Sequence, residues 1–113
     1  MKKARVLYIE ADEIRRKALT TGLRSKGYSV SAASSGETGL RVFNAKTFDV
    51  ILCNLKLQGM DGISILENIR LEDPNIPFIM LSAHGTASQA VKAIRKGVTI
   101  MSIFRVLHGP SMV

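Results

Sequence analysis

Short apolar runs alternate with stretches of helical spacing along most of the chain. Val6-Leu7-Tyr8-Ile9, opened by Arg5, is apolar without interruption, long enough for a buried strand and too short for a buried helix. Asp12 caps a predicted helix. Ile14, Ala18, Leu19, Gly22 and Leu23 make up its inward face, Arg15, Arg16, Lys17, Arg24 and Lys26 cover the rest, and Gly27 ends it. Tyr28 to Ala32 reads as a second, weaker strand. Ser34 and Ser35 start a second helix with Leu40, Val42 and Phe43 facing inward, and Gly36 and Gly39 count against it. Phe48 to Cys53 is a third strand, and Asn54 to Gly62 is a loop turned by Gly59 and Gly62. Ile63, Leu66, Ile69 and Arg70 mark a third helix, stopped near Pro74. Pro77 to Leu81 is a fourth strand and Ser82 to Gly85 a loop. Ala87, Ala90, Val91 and Ile94 have the i, i+3, i+4, i+7 spacing of a fourth helix ended by Gly97. Val98 to Phe104 reads as a fifth strand, and Arg105 to Pro110 has no period.

Strands that are apolar on both faces and separated by crossover helices imply an α/β chain with a parallel sheet covered on both sides. In such sheets the working site lies at the carboxyl ends of the strands. Glu10, Asn54, Ser82 and Phe104 follow the first, third, fourth and fifth strands.

Composition narrows this picture. A chain of 113 residues allows one domain. A lone cysteine, Cys53, rules out an internal disulfide framework and a cysteine-based zinc site. No apolar run nears the roughly 20 residues needed to cross a bilayer. The stretch after the basic start, Met1-Lys2-Lys3-Ala4-Arg5, is too short for a signal peptide. A soluble, cytoplasmic protein is expected. The 16 Lys and Arg against 9 Asp and Glu permit an anionic partner without naming one.

The order Val6-Leu7-Tyr8-Ile9-Glu10, Phe48 to Asn54, Gly59-Met60-Asp61-Gly62 and Ile76-Pro77-Phe78-Ile79-Met80-Leu81-Ser82-Ala83 resembles the receiver domain of two-component response regulators. Ser82 to Gly85 and Ala90 to Gly97 are most similar to receivers of the nitrogen-regulation type. The resemblance runs from about Ala4 to Gly97 and implies a flavodoxin-like, doubly wound sheet of five parallel strands. It also implies phosphoryl transfer to an Asp at the end of strand three. In that family Mg²⁺ is bound by an acidic pocket, a Lys after strand five pairs with the phosphoryl oxygens, and a Ser or Thr after strand four bonds them. The metal and the Lys neutralise developing charge.

Carried over to this chain, most of those parts are absent. Asn54 stands at the acceptor position and has no charged oxygen. Glu10 and Ala11 stand where two adjacent carboxylates belong, with Ala11 at the direct metal-ligand position. Ungapped counting from Ser82, which keeps its type, places Met101 at the aromatic switch position and Phe104 at the Lys position. One Asp-to-Asn change would silence a receiver, but three losses imply a degenerate pseudo-receiver with no catalytic residues. Mg²⁺ usually needs more than one carboxylate, so no metal or other cofactor is expected. Regeneration of Asp by deamidation is expected to be slow, because Leu55 and not Gly follows Asn54.

The receiver-like region is expected over residues 1–104, with residues 105–113 an irregular tail in place of the family's last helix. Gly109 and Pro110 oppose helix there. Thr99-Ile100-Met101-Ser102 is also what a one-base frameshift of Asn-Asp-Tyr-Val would give. Without the last helix, strand five lacks cover, which implies self-association there or a disordered tail after about Gly97.

The remaining candidates have plainer readings. Asp12 is a helix cap, Glu13 a charge at a helix start, Asp61 an Asx bond in a turn, and Cys53 a core residue. His84 has no second His near it in sequence, and His108 lies in the tail. Arg15-Arg16-Lys17 reads as a solvated helix face. Lys2, Lys3, Lys92, Arg95 and Lys96 add charge without a recognition helix or interleaved aromatics, which argues against nucleic acid. The expected function is signalling by protein binding within a phosphorelay, with a histidine kinase, another response regulator or an output domain as partner. The rivals are an active phosphotransfer receiver with a non-standard acceptor, such as Glu10 or Ser82, and a basic nucleic-acid-binding module.

Overall fold

A computed structural model describes residues 3–81 and, for the backbone, 99–101. The first apolar run forms β1 (Arg5–Ile9), and α1 (Glu13–Ser25), β2 (Ser29–Ala33), α2 (Gly36–Ala45), β3 (Val50–Asn54), α3 (Gly62–Glu72), β4 (Phe78–Leu81) and β5 (Thr99–Met101) follow. The sheet order is β2-β1-β3-β4-β5, and every pairing is parallel. Each strand lies within a residue or two of the predicted one at its start, and Val98 and Ser102 to Phe104 of the predicted fifth strand lie outside the described residues. The predicted fourth helix and the tail from 105 lie outside the described residues.

Alternate residues of β1 go to opposite layers, as strand geometry requires. Leu7 and Ile9 join Ile51, Cys53, Phe78 and Met80 under α2 and α3, which contribute Leu40, Val42, Phe43, Ile65, Leu66 and Ile69. Val6 and Tyr8 join Val30 and Leu81 in a second cluster, covered by Leu19 and Leu23 of α1. Each large aliphatic side chain fully buried this way contributes about 1.5–3 kcal/mol. This is a flavodoxin-like, doubly wound α/β sheet, as the resemblance implied.

Three short polar side chains set where the helices begin. Asp12, Ser35 and Asp61 each accept a bond from a backbone N–H three residues on. Gly36 and Gly39, which counted against α2, are what let it sit so close. A Cβ on Gly39 would lie 2.5 Å from Ile9 Cδ1, and one on Gly36 would lie 2.9 Å from Ile65 Cδ1. The inward face of α1 differs from expectation. Leu19, Thr20 and Leu23 turn to the sheet, while Ala18 and Gly22 are exposed and Ile14 is 81% exposed. Ile14 and Leu23 are nine residues apart, which at about 100° per residue places them on opposite sides of the helix.

Candidate functional site

β1 and β3 are neighbours with Ile9 opposite Cys53, so the residues that follow this pair, Glu10 and Asn54, meet at the carboxyl edge of the sheet. Both are polar and buried, at 1% and 6% exposure. Such burial requires partners. The Asn54 amide supplies two: Nδ2 donates to Glu10 Oε1 at 2.7 Å, and Oδ1 accepts from the Lys56 N–H at 3.0 Å. These two bonds assign the amide's orientation, since the flipped form would set two acceptors together and two donors together.

Glu10 is held from every side. The Asp12 N–H donates to its Oε2 at 3.0 Å, and its own N–H donates to Ala33 O at 2.9 Å. Arg15 Nε lies 3.4 Å from Glu10 Oε1 and 4.0 Å from Asp12 Oδ2. Arg16 Nη1 donates to the carbonyls of Glu10 at 2.9 Å and Ala11 at 3.2 Å. Helical side chains lean toward the N-terminus, so arginines in the first turn of α1 reach back past the cap to this edge. The solvated reading of the cluster therefore holds for Lys17 alone, which pairs with exposed Glu13 at 3.1 Å and holds that carboxyl below its usual range.

An open pocket of about 450 Å³ lies over this network. It is lined by Glu10, Ala11, Asp12 and Arg15 from the end of β1 and the start of α1, and by Lys56, Leu57 and Gln58 from the loop after β3. Behind it, burial pushes the Tyr8 phenol and the Cys53 thiol far up, and the Glu10 carboxylate adds to both shifts. Cys53 is a core residue, as read from its strand position. Asp61, expected to make an Asx bond in a turn, is instead the cap of α3, accepting from the Ser64 N–H at 2.9 Å. Among the described residues, no group of three His, Cys, Asp or Glu side chains is placed to hold a metal ion.

Of the residues singled out from sequence, Glu10, Ala11 and Asn54 come together. Met101 ends β5, its backbone opposite Leu81 and two strands from Asn54. Ser82, His84, Phe104 and His108 lie outside the described residues. Arg15, Arg16 and the Lys56 N–H were not foreseen as parts of the site. A run of charge on a helix does not say which members fold back, and the only cue was their place directly after the cap.

The sequence pattern of the response regulator receiver domain matches residues 6–101. The chain belongs to the response regulator receiver family. It is 39% identical over 97 residues to the transcriptional regulatory protein GlrR of Escherichia coli K12, covering 86% of this chain and 22% of that protein. It is 34% identical over 94 residues to the response regulator protein FleR of Pseudomonas aeruginosa, covering 83% of this chain and 20% of that one. The chain thus spans about a fifth of the length of these curated relatives. Its homologues are of the nitrogen-regulation type. A crystallised receiver domain protein from Clostridium thermocellum superposes with a TM-score of 0.83 at 25% identity, over 93% of this chain and 94% of that one. As a receiver, the domain has a signalling function in two-component systems, where receivers interact with kinases and output domains. Among the described residues, no helix is long and apolar enough to cross a membrane.

Proposed function

We propose that this receiver signals by protein–protein contact and is not phosphorylated at Asn54. The observation that carries the reading is the state of the Asn54 side chain, a buried carboxamide with one end on Glu10 and the other on the Lys56 N–H. A phosphoryl acceptor needs a free, electron-rich oxygen facing the pocket. The Asn54 oxygen is neutral and already accepts a hydrogen bond. Conversion to Asp requires the Leu55 nitrogen to attack the side chain, and that N–H is bonded to Leu81 O at 2.8 Å in the sheet.

The donor set also fits Mg²⁺ poorly. A hard cation demands several oxygen ligands in near-octahedral order. Both Glu10 carboxylate oxygens accept from this chain's own donors, and Ala11 offers only a methyl at the direct-ligand position. On this reading the domain works by binding, without a metal and without an enzymatic role. The partner is a protein of the relay: a histidine kinase, another response regulator, or an output domain in the same or a separate polypeptide. Because this chain's relative GlrR is a transcriptional regulatory protein, a transcriptional output is the first to test. A cytoplasmic location accords with such partners.

The test is intact-mass measurement after incubation with acetyl phosphate and Mg²⁺. No mass gain is expected. Gain of one phosphoryl group, mapped to Asn54, Glu10 or Ser82, would refute the reading and sustain an active receiver with a non-standard acceptor.

A further inference from the structure

A divalent cation in an acidic pocket does two electrostatic jobs. It neutralises clustered carboxylate charge, and it ties together oxygens from separate segments. Here protein groups do both. The Arg15 guanidinium stands between two carboxylates, with Nε 3.4 Å from Glu10 Oε1 and 4.0 Å from Asp12 Oδ2. Glu10 is 1% exposed, so its ionised form needs a positive neighbour. Arg15 Nε is itself buried and makes no hydrogen bond, so charge and packing hold it there. Arg16 serves the main chain, with Nη1 on the carbonyls of Glu10 and Ala11. That is the backbone of the very position that lacks a carboxylate. The Asn54 amide and the Asp12 N–H take the remaining Glu10 contacts. Every oxygen of Glu10 and the carbonyl of Ala11 is thus met by nitrogen of this chain.

We infer that Arg15, as a resident counter-ion to Glu10 and Asp12, and Arg16, as a clamp on the carbonyls of Glu10 and Ala11, stand in for a divalent cation and make the folded domain indifferent to Mg²⁺. The inference rests on the reading of the domain as a non-phosphorylated receiver, and adds where the pocket's positive charge comes from. Arginine suits the task because its guanidinium stays charged under all working conditions and presents several N–H groups in a fixed fork.

Thermal unfolding of the full chain in EDTA and in millimolar Mg²⁺ tests it. The unmodified protein is expected to melt at the same temperature in both. Arg15→Ala should melt roughly 5 °C lower in EDTA, and Mg²⁺ should recover part of that loss, because the Glu10 and Asp12 carboxylates become available to it. Lys17→Ala, which removes only the exposed pair with Glu13, should show no Mg²⁺ response. Stabilisation of the unmodified protein by Mg²⁺ overturns the inference. So does a loss in Arg15→Ala that Mg²⁺ leaves untouched, which would make Arg15 a packing residue only. If that variant does not fold, Mn²⁺ titration of the unmodified protein decides. Selective broadening of the Glu10 and Asn54 amide signals overturns the inference, and unaffected signals sustain it. Acetyl phosphate enters no arm, so Mg²⁺ binding without labelling sinks this inference alone, and labelling of a Mg²⁺-indifferent protein sinks the proposed function alone.

Discussion

Asn54→Asp places a second carboxylate against Glu10. The two oxygens would start from the 2.7 Å now spanned by the amide bond, in a site where both residues are buried. At an effective permittivity near 20, two unit charges about 3 Å apart repel by about 5.5 kcal/mol. Protonating one of them at pH 7 instead costs about 1.4 kcal/mol for each unit above the ordinary carboxylate value near 4, or about 4 kcal/mol. Protonation is the cheaper route. The shared proton also restores a hydrogen bond between the side chains, so the expected loss at pH 7 is about 3–4 kcal/mol. The pair's folded pKa is then raised above its unfolded value. Between those two values the folded variant holds one proton more than the unfolded chain, so its stability rises as pH falls, by up to about 1.4 kcal/mol per unit. Urea unfolding of both proteins at pH 7 and pH 5, without divalent ions, measures the gap. The gap should shrink by more than half at pH 5. An Asn54→Asp protein as stable as the parent at pH 7, or a gap equal at the two pH values, would refute the reasoning.

Two glycine substitutions should move stability in opposite directions. Gly39→Ala forces a Cβ to 2.5 Å from Ile9 Cδ1, and overpacking of about 1–3 kcal/mol exceeds the helical gain of about 0.5–1 kcal/mol. Gly22→Ala in α1 meets nothing within 4 Å and should stabilise by about 0.5–1 kcal/mol. A higher urea midpoint for Gly39→Ala than for the parent contradicts the close packing of α2 on β1. The Cys53 thiol, buried with its pKa pushed up, should resist alkylation at pH 8 in the native protein and react in denaturant. Rapid stoichiometric labelling without denaturant counts against that burial.

The fold was legible because its strands are apolar on both faces, a pattern that few architectures other than a covered parallel sheet accommodate. Glu10 and Asn54 were legible for a related reason: strand ends in such sheets converge on one edge. What failed was finer. The apolar residues of α1 are few and spread over half its circumference, so Ile14 was placed inward and Thr20 overlooked. Propensity counts against Gly36 and Gly39 in a helix, whereas close approach to Ile65 and Ile9 decides them. Arg15 and Arg16 share a composition with any solvated helix face. Only the direction in which helical side chains lean separates them from Lys17, and that becomes informative once the cap at Asp12 is fixed.

The hydrogen bond between Asn54 and Glu10 joins residues 44 positions apart. It can close only after β1 and β3 lie side by side, with the intervening α1, β2 and α2 looped out of that pairing. Contacts at such separation are made late, once chain entropy has been spent on bringing the strands together. The bond therefore governs the lifetime of the native state more than the speed of reaching it. In a chevron analysis Asn54→Asp should lift the unfolding limb and leave the folding limb nearly in place. An effect confined to the folding limb would put this edge of the sheet in the nucleus instead. An effect confined to the unfolding limb would make the acceptor position of the fold a brake on opening in this chain.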